Sequence, residues 1–107
     1  MAKVLILLFL TISCIPIIAQ SDYLFKNISS RDGLSNDFVR DMDVDGKGFI
    51  WIATEEGLNR WTGNGNTIYR ENNSGLASNE LTTVYYDAKS NRVWAGSRQK
   101  GISIFDC

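Results

Sequence analysis

Asp41-Met42-Asp43-Val44-Asp45-Gly46 sets three carboxylates at alternate positions with glycine sixth, the way a calcium-binding loop opens. That chemistry needs a bidentate glutamate at the twelfth position, and the residue there is Ile52. Phe49 to Ala53 reads as a strand where such a loop would enter a helix, so a hairpin turn is expected and no metal site. Glu55-Glu56 and the pair Asp43 and Asp45 are the remaining paired carboxylates. Glycoside hydrolysis needs two carboxyls about 5 to 9.5 Å apart across a cleft, and neighbours in one turn read instead as a solvated corner. Histidine is absent from all 107 residues, which removes the usual general base, the commonest metal ligand and any phospho-accepting histidine. The expected catalytic, cofactor-binding and metal residues are therefore none, no cofactor is expected, and no ligand-binding residue is assigned. Asn27-Ile28-Ser29 and Asn72-Asn73-Ser74 match the N-glycosylation acceptor pattern, too short a pattern to carry weight.

The ends of the chain place this chemistry in a compartment. Lys3 supplies a positive flank and Val4 to Ile18 is an almost unbroken apolar run, Pro16 and Ala19 suit a cleavage region, and polar Gln20-Ser21-Asp22 follow. This reads as a signal peptide over residues 1–19, cleaved after Ala19, because the run falls short of the roughly 20 apolar residues of a spanning helix. Cys14 offers a lipid-anchor alternative, although Thr11 stands where such sites usually carry leucine. Cleavage removes Cys14 and leaves Cys107 as the only cysteine, so no internal disulfide is available. With Lys3 gone, ten basic and twelve acidic residues remain, and no basic patch stands out for nucleic acid.

A repeat organises the rest. Gly33-Leu34-Ser35-Asn36 returns as Gly75-Leu76-Ala77-Ser78-Asn79, 42 positions later. Short alternating runs follow in both copies, Val39 to Asp45 and Leu81 to Asp87. Phe49-Ile50-Trp51-Ile52-Ala53-Thr54 then corresponds to Val93-Trp94-Ala95-Gly96-Ser97 at an offset of 43, and Gly57 to Trp61 to Gly101 to Phe105 at 44. The extra residues fall in turns, where repeats tolerate insertion. Each copy holds three strand-like runs, and the first adds a fourth at Asn66 to Arg70, which is the pattern of a propeller blade. The run Phe49 to Ala53 is apolar on both faces, as expected of a sheet packed between two others. Trp51 and Trp94 hold equivalent places and are expected to pack between blades. Tyr23 to Ile28 occupies, before the first Gly-Leu turn, the place of Thr67 to Arg70 before the second, and is read as an orphan outer strand. The expected organisation is thus all-β: residues 20–32 orphan strand and linker, 33–74 first blade, and 75–107 a second blade lacking its last strand.

The order Gly-Leu-Ser, Asp-Gly-Lys-Gly-Phe-Ile-Trp-Ile-Ala-Thr, Glu-Gly-Leu-Asn-Arg-Trp resembles the two-component regulator propeller repeats at the N-termini of hybrid sensor histidine kinases of Bacteroides-type bacteria. The resemblance spans about Tyr23 to Phe105 and departs from the usual pattern at Trp61-Thr62-Gly63 and Ala95-Gly96-Ser97. It implies a periplasmic sensor, often of glycan fragments, ahead of a membrane span and a kinase. On that reading the chain is a non-catalytic N-terminal fragment. Its partners are the remaining blades of the parent chain and a carbohydrate ligand, it touches the membrane only through a downstream segment, and nucleic acid is no partner. The competing expectations are a secreted propeller that binds or hydrolyses glycans, and a truncated product without function.

Overall fold

The computed structural model describes residues 24–107; the expected signal segment, Cys14 and Tyr23 lie outside them. Among the described residues seven strands follow a 3-10 turn at Ser30–Asp32: β1 Val39–Val44, β2 Ile50–Thr54, β3 Gly57–Trp61, β4 Asn66–Tyr69, β5 Leu81–Asp87, β6 Arg92–Ser97 and β7 Ile102–Asp106. They form two antiparallel meanders, a four-stranded sheet β1-β2-β3-β4 and a three-stranded sheet β5-β6-β7. The protein is a propeller-like fragment of two stacked blades, the second one strand short.

The repeat persists into the irregularities of the ladders. The register of β1 on β2 slips between Val39 and Asp41, and that of β5 on β6 between Leu81 and Thr83. Arg40 and Thr82, the residues at these bulges, are 42 positions apart. The hairpins also correspond. Gly57 has φ 121° and Gly101 φ 74°, backbone that side chains rarely adopt. At Gly57 a methyl group would in addition meet the Tyr69 carbonyl oxygen at 2.8 Å.

The core lies between the sheets. Alternation along β2 sends Trp51 and Ala53 toward the second blade, where they meet Leu81, Val84, Val93 and Ala95, with Leu58 and Leu76 completing the cluster. Removing a leucine-sized side chain from water is worth about 1.5–3 kcal/mol, so this seam supplies most of what holds two small sheets together. Ile52 and Thr54, on the opposite face of β2, are buried as well. Among the described residues no neighbouring sheet covers them: the turn Gly33-Leu34-Ser35 folds over that face, and Leu34 is itself buried.

Residues 24–28, the described part of the segment read as an orphan outer strand, are irregular, with Leu24 95% and Phe25 97% exposed. A strand exists only through a partner ladder, and this segment has none among the described residues. Asp41 and Asp43 lie in β1, as the alternating run from Val39 to Asp45 predicts, and the hairpin turn begins at Asp45.

Candidate functional site

The two carboxylates of β1 bridge the blades. Asp41 Oδ1 accepts from its neighbour Met42 N at 2.9 Å, while its Oδ2 accepts from Val84 N at 3.0 Å and Thr83 Oγ1 at 2.9 Å in β5. Asp43 repeats the arrangement one step on, Oδ1 to Val44 N at 2.8 Å and Oδ2 to Tyr86 N at 2.7 Å. The β1 and β5 edges carry N–H groups that no strand pairs, and each carboxylate satisfies one on its own strand and one on the neighbour's. The Val84 N–H above all holds the Asp41 carboxyl below the ordinary carboxylate range; burial opposes it, and the Thr83 hydroxyl and Met42 N–H reinforce it. These donors account for carboxylates that alternation alone presents as calcium ligands. Among the described residues no three His, Cys, Asp or Glu side chains gather as a metal site.

Asp45 closes the first hairpin and anchors the buried tryptophan. Its Oδ1 accepts from Lys47 N at 2.9 Å and Phe49 N at 3.0 Å, and its Oδ2 from Trp51 Nε1 at 2.8 Å. Burial pushes this carboxyl upward, yet the indole and the two backbone donors outweigh it and the net displacement is downward. Held this way, the Trp51 ring stacks on Tyr69, centroids 5.8 Å apart and planes 16° apart, and meets Phe105 of the second blade at 5.2 Å. The equivalent Asp87 instead accepts from Lys89 N and the Ser90 hydroxyl.

A polar knot ties the Gly-Leu-Ser turn to each blade, and sequence reasoning overlooked it. Ser35 N donates to Asn59 Oδ1 at 2.9 Å, Asn59 Nδ2 donates to Ser35 Oγ at 2.7 Å and to the Ile52 carbonyl, and Asn66 Nδ2 joins Asn59 Oδ1 to the Gly33 carbonyl. In the second blade Ala77 N donates to Ser103 Oγ at 3.0 Å. Ser35 corresponds to Ala77 and Asn59 to Ser103 at the offsets of 42 and 44, so the signal was present as short polar residues at matching places.

One polar cleft of about 390 Å3 opens where the bulges of the two blades meet, lined by Arg40, Glu55, Glu80, Leu81, Thr82 and Arg98. Arg40 pairs with Glu55 across the β1–β2 ladder. Glu55 N donates to the Phe38 carbonyl and Arg98 N to the Glu80 carbonyl, the same bond in each blade. Of the expected solvated carboxylate pair, Glu55 thus faces the cleft in an ion pair, while Glu56 N caps the hairpin through Thr54 Oγ1. The cleft is lined by two guanidinium groups and two carboxylates, of which Arg40 and Glu55 already pair with each other.

Residues 33–56, which carry the first Gly-Leu-Ser turn, both bridging aspartates and Trp51, match the family described as two component regulator propeller. The chain carries a two-component regulator propeller repeat. The likeness extends over both blades: the crystal structure of the extracellular domain of a hybrid two component system from B. thetaiotaomicron superposes with a TM-score of 0.71 at 33% identity, over 79% of this chain and 12% of that one. A histidine kinase, P4, of Formosa agariphila is 40% identical over 53 residues, 50% of this chain and 4% of the kinase. The chain therefore spans a small part of each relative's length. It is a propeller fragment related to the extracellular domains of hybrid two-component systems.

Proposed function

We propose that the chain is the N-terminal part of a periplasmic sensor in a hybrid two-component histidine kinase, taking glycan fragments as ligand and catalysing no reaction itself. The observation that carries this reading is the propeller repeat at residues 33–56 together with the superposition of both blades on an extracellular domain of such a system. The polar cleft between Arg40, Glu80 and Arg98 supports the choice of ligand, because it sits at a blade junction and presents charged hydrogen-bonding groups to solvent. A junction site suits signalling. A ligand that binds one spacing of two blades better than another shifts the equilibrium between them, and a kinase beyond the membrane reads the shift. The partners on this reading are further blades of the same kind in a longer protein.

The test reads the coding sequence on both sides of these residues and titrates its full product with oligosaccharide fragments by calorimetry, with Arg98→Ala beside the native protein. Binding weakened by the substitution, in a product carrying a spanning segment of about 20 apolar residues and a kinase core, is the expected result. A product that ends without such a span and carries a hydrolase-type carboxylate pair overturns the reading in favour of a secreted enzyme.

A further inference from the structure

Three times an aspartyl or asparaginyl residue precedes glycine: Asp32-Gly33, Asp45-Gly46 and Asn64-Gly65. In such a pair the glycine nitrogen attacks the side-chain carbonyl carbon one residue back and closes a five-membered imide. Glycine suits the step because it carries no side chain to crowd the nitrogen and reaches the backbone angles that the ring needs. The reaction requires a carbonyl that is not an ionised carboxylate, a side chain free to turn, and an amide N–H not already bonded. Two of the three pairs are closed to it. Asp32 Oδ2 accepts from Ser29 N at 3.0 Å, and the Gly33 N–H that would attack donates to the Ser30 carbonyl at 3.2 Å. Asp45 is held by Lys47 N, Phe49 N and Trp51 Nε1, and those donors favour the ionised form, whose carbon is a poor electrophile.

Asn64-Gly65 is open on every count. It lies in the exposed connection 62–65 between β3 and β4, whose last ladder pair is Trp61 with Asn66. Thr62 holds the Gly65 carbonyl through its N at 3.0 Å and its Oγ1 at 3.3 Å. Among the described residues nothing accepts from the Gly65 N–H, and nothing bonds to the Asn64 amide. Asn73 in the next turn differs, since Arg70 N and the Ile68 carbonyl engage its amide on both sides.

We propose that Asn64 is a site of spontaneous deamidation. The Gly65 nitrogen bonds to Asn64 Cγ, the Cγ–Nδ2 bond breaks, and the proton lost by the Gly65 N–H leaves with the amide nitrogen as ammonia. Water then opens the imide. Attack at Cγ yields aspartate, and attack at the main-chain carbonyl carbon of residue 64 yields isoaspartate. Either product puts a negative charge on a turn of Thr62, Gly63, Asn64 and Gly65 that carries none. Isoaspartate also moves a side-chain carbon into the main chain and lengthens the connection into β4. Asn66, the first residue of β4, donates to Asn59 Oδ1 and the Gly33 carbonyl, so the longer connection loosens the polar knot of the first blade. The site lies wholly within one blade and is independent of the sensing role.

Peptide mass mapping of the full protein, with isoaspartyl methyltransferase labelling, tests it after incubation at neutral pH in buffer and in urea. The native protein is expected to gain one dalton at Asn64 at close to the rate seen in urea, while isoaspartate at residues 32 and 45 forms in urea alone. Asn64→Gln is expected to abolish the gain and Gly65→Ala to slow it severalfold. The alanine fits the fold, since no atom lies within 4 Å of the added methyl group and Gly65 does not have a left-handed φ. Asn64 intact in the native protein but deamidated in urea, or a Gly65→Ala variant that deamidates at the native rate, overturns the site. Isoaspartate at residue 32 or 45 forming as fast in buffer as in urea overturns the protection assigned to their hydrogen bonds. The aged protein is expected to unfold at lower urea than the fresh one, and an unchanged midpoint overturns the link to the knot.

Discussion

Trp51 and Trp94 occupy the same position in two copies of one repeat, and their surroundings have little else in common. Trp51 is 1% exposed, hydrogen-bonded to Asp45 and in contact with Tyr69 and Phe105. Trp94 is 37% exposed on an open face. The difference teaches that a blade residue's burial belongs to the neighbour rather than to the blade. The covered tryptophan has an adjoining blade, and the other has none among the described residues.

The largest break in that comparison is expected from matched truncations. Trp51→Ala removes a ring with packed atoms on every side and is expected to cost about 3–5 kcal/mol in urea unfolding. Trp94→Ala, at a partly exposed position, is expected to stay within about 1 kcal/mol, as substitutions away from packed sites do. Equal costs would mean that the second blade's open face is already covered.

Asn59 and Ser103 form the next pair. Asn59→Ala leaves Ser35 N, Ser35 Oγ and the Asn66 amide without their buried partner, and about 1–3 kcal/mol is expected to be lost. Ser103→Ala removes a single acceptor from the exposed Ala77 N, which water replaces, so about 0.5 kcal/mol or less is expected in the same measurement.

Asp45 and Asp87 sharpen the comparison through pH. The Asp41 and Asp45 carboxyls are held below the ordinary range in the folded protein, so the unfolded chain binds their protons first as pH falls. Their contribution is complete above the ordinary carboxylate range and is lost as pH drops through their lowered values. Asp45→Asn is expected to lower stability at neutral pH by about 1.5–3 kcal/mol, the worth of hydrogen bonds to a charged group, and to flatten the acid limb of an unfolding-against-pH curve. Asp87→Asn, whose partners are exposed turn groups, is expected to change stability at neutral pH by about 0.5 kcal/mol or less. The smallest effect is expected from Arg40→Ala, which breaks an exposed ion pair worth about 0–1 kcal/mol and should fade in high salt.

Much of this architecture is written in local chemistry. A period of 42 to 44 residues, alternation of two within each run, and Gly, Asp or Asn between runs yield seven strands in two meanders, because turn conformation and strand pleat depend on residues a few positions apart. The equivalence of Trp51 and Trp94 follows from the same counting, and so does the absence of a full calcium-ligand set. Only the packing of one sheet on another decided what Asp41 and Asp43 do. As members of the alternating run Val39 to Asp45 they carry no sign of it, and their acceptor role exists because two strand edges about 42 residues apart lie side by side. The same holds for Asn59, whose partners in the Gly33 turn are 24 or more residues away. A propeller repeat determines the shape of its blade, whereas what each face touches depends on a neighbour's distance and register, and no run of adjacent residues contains that information.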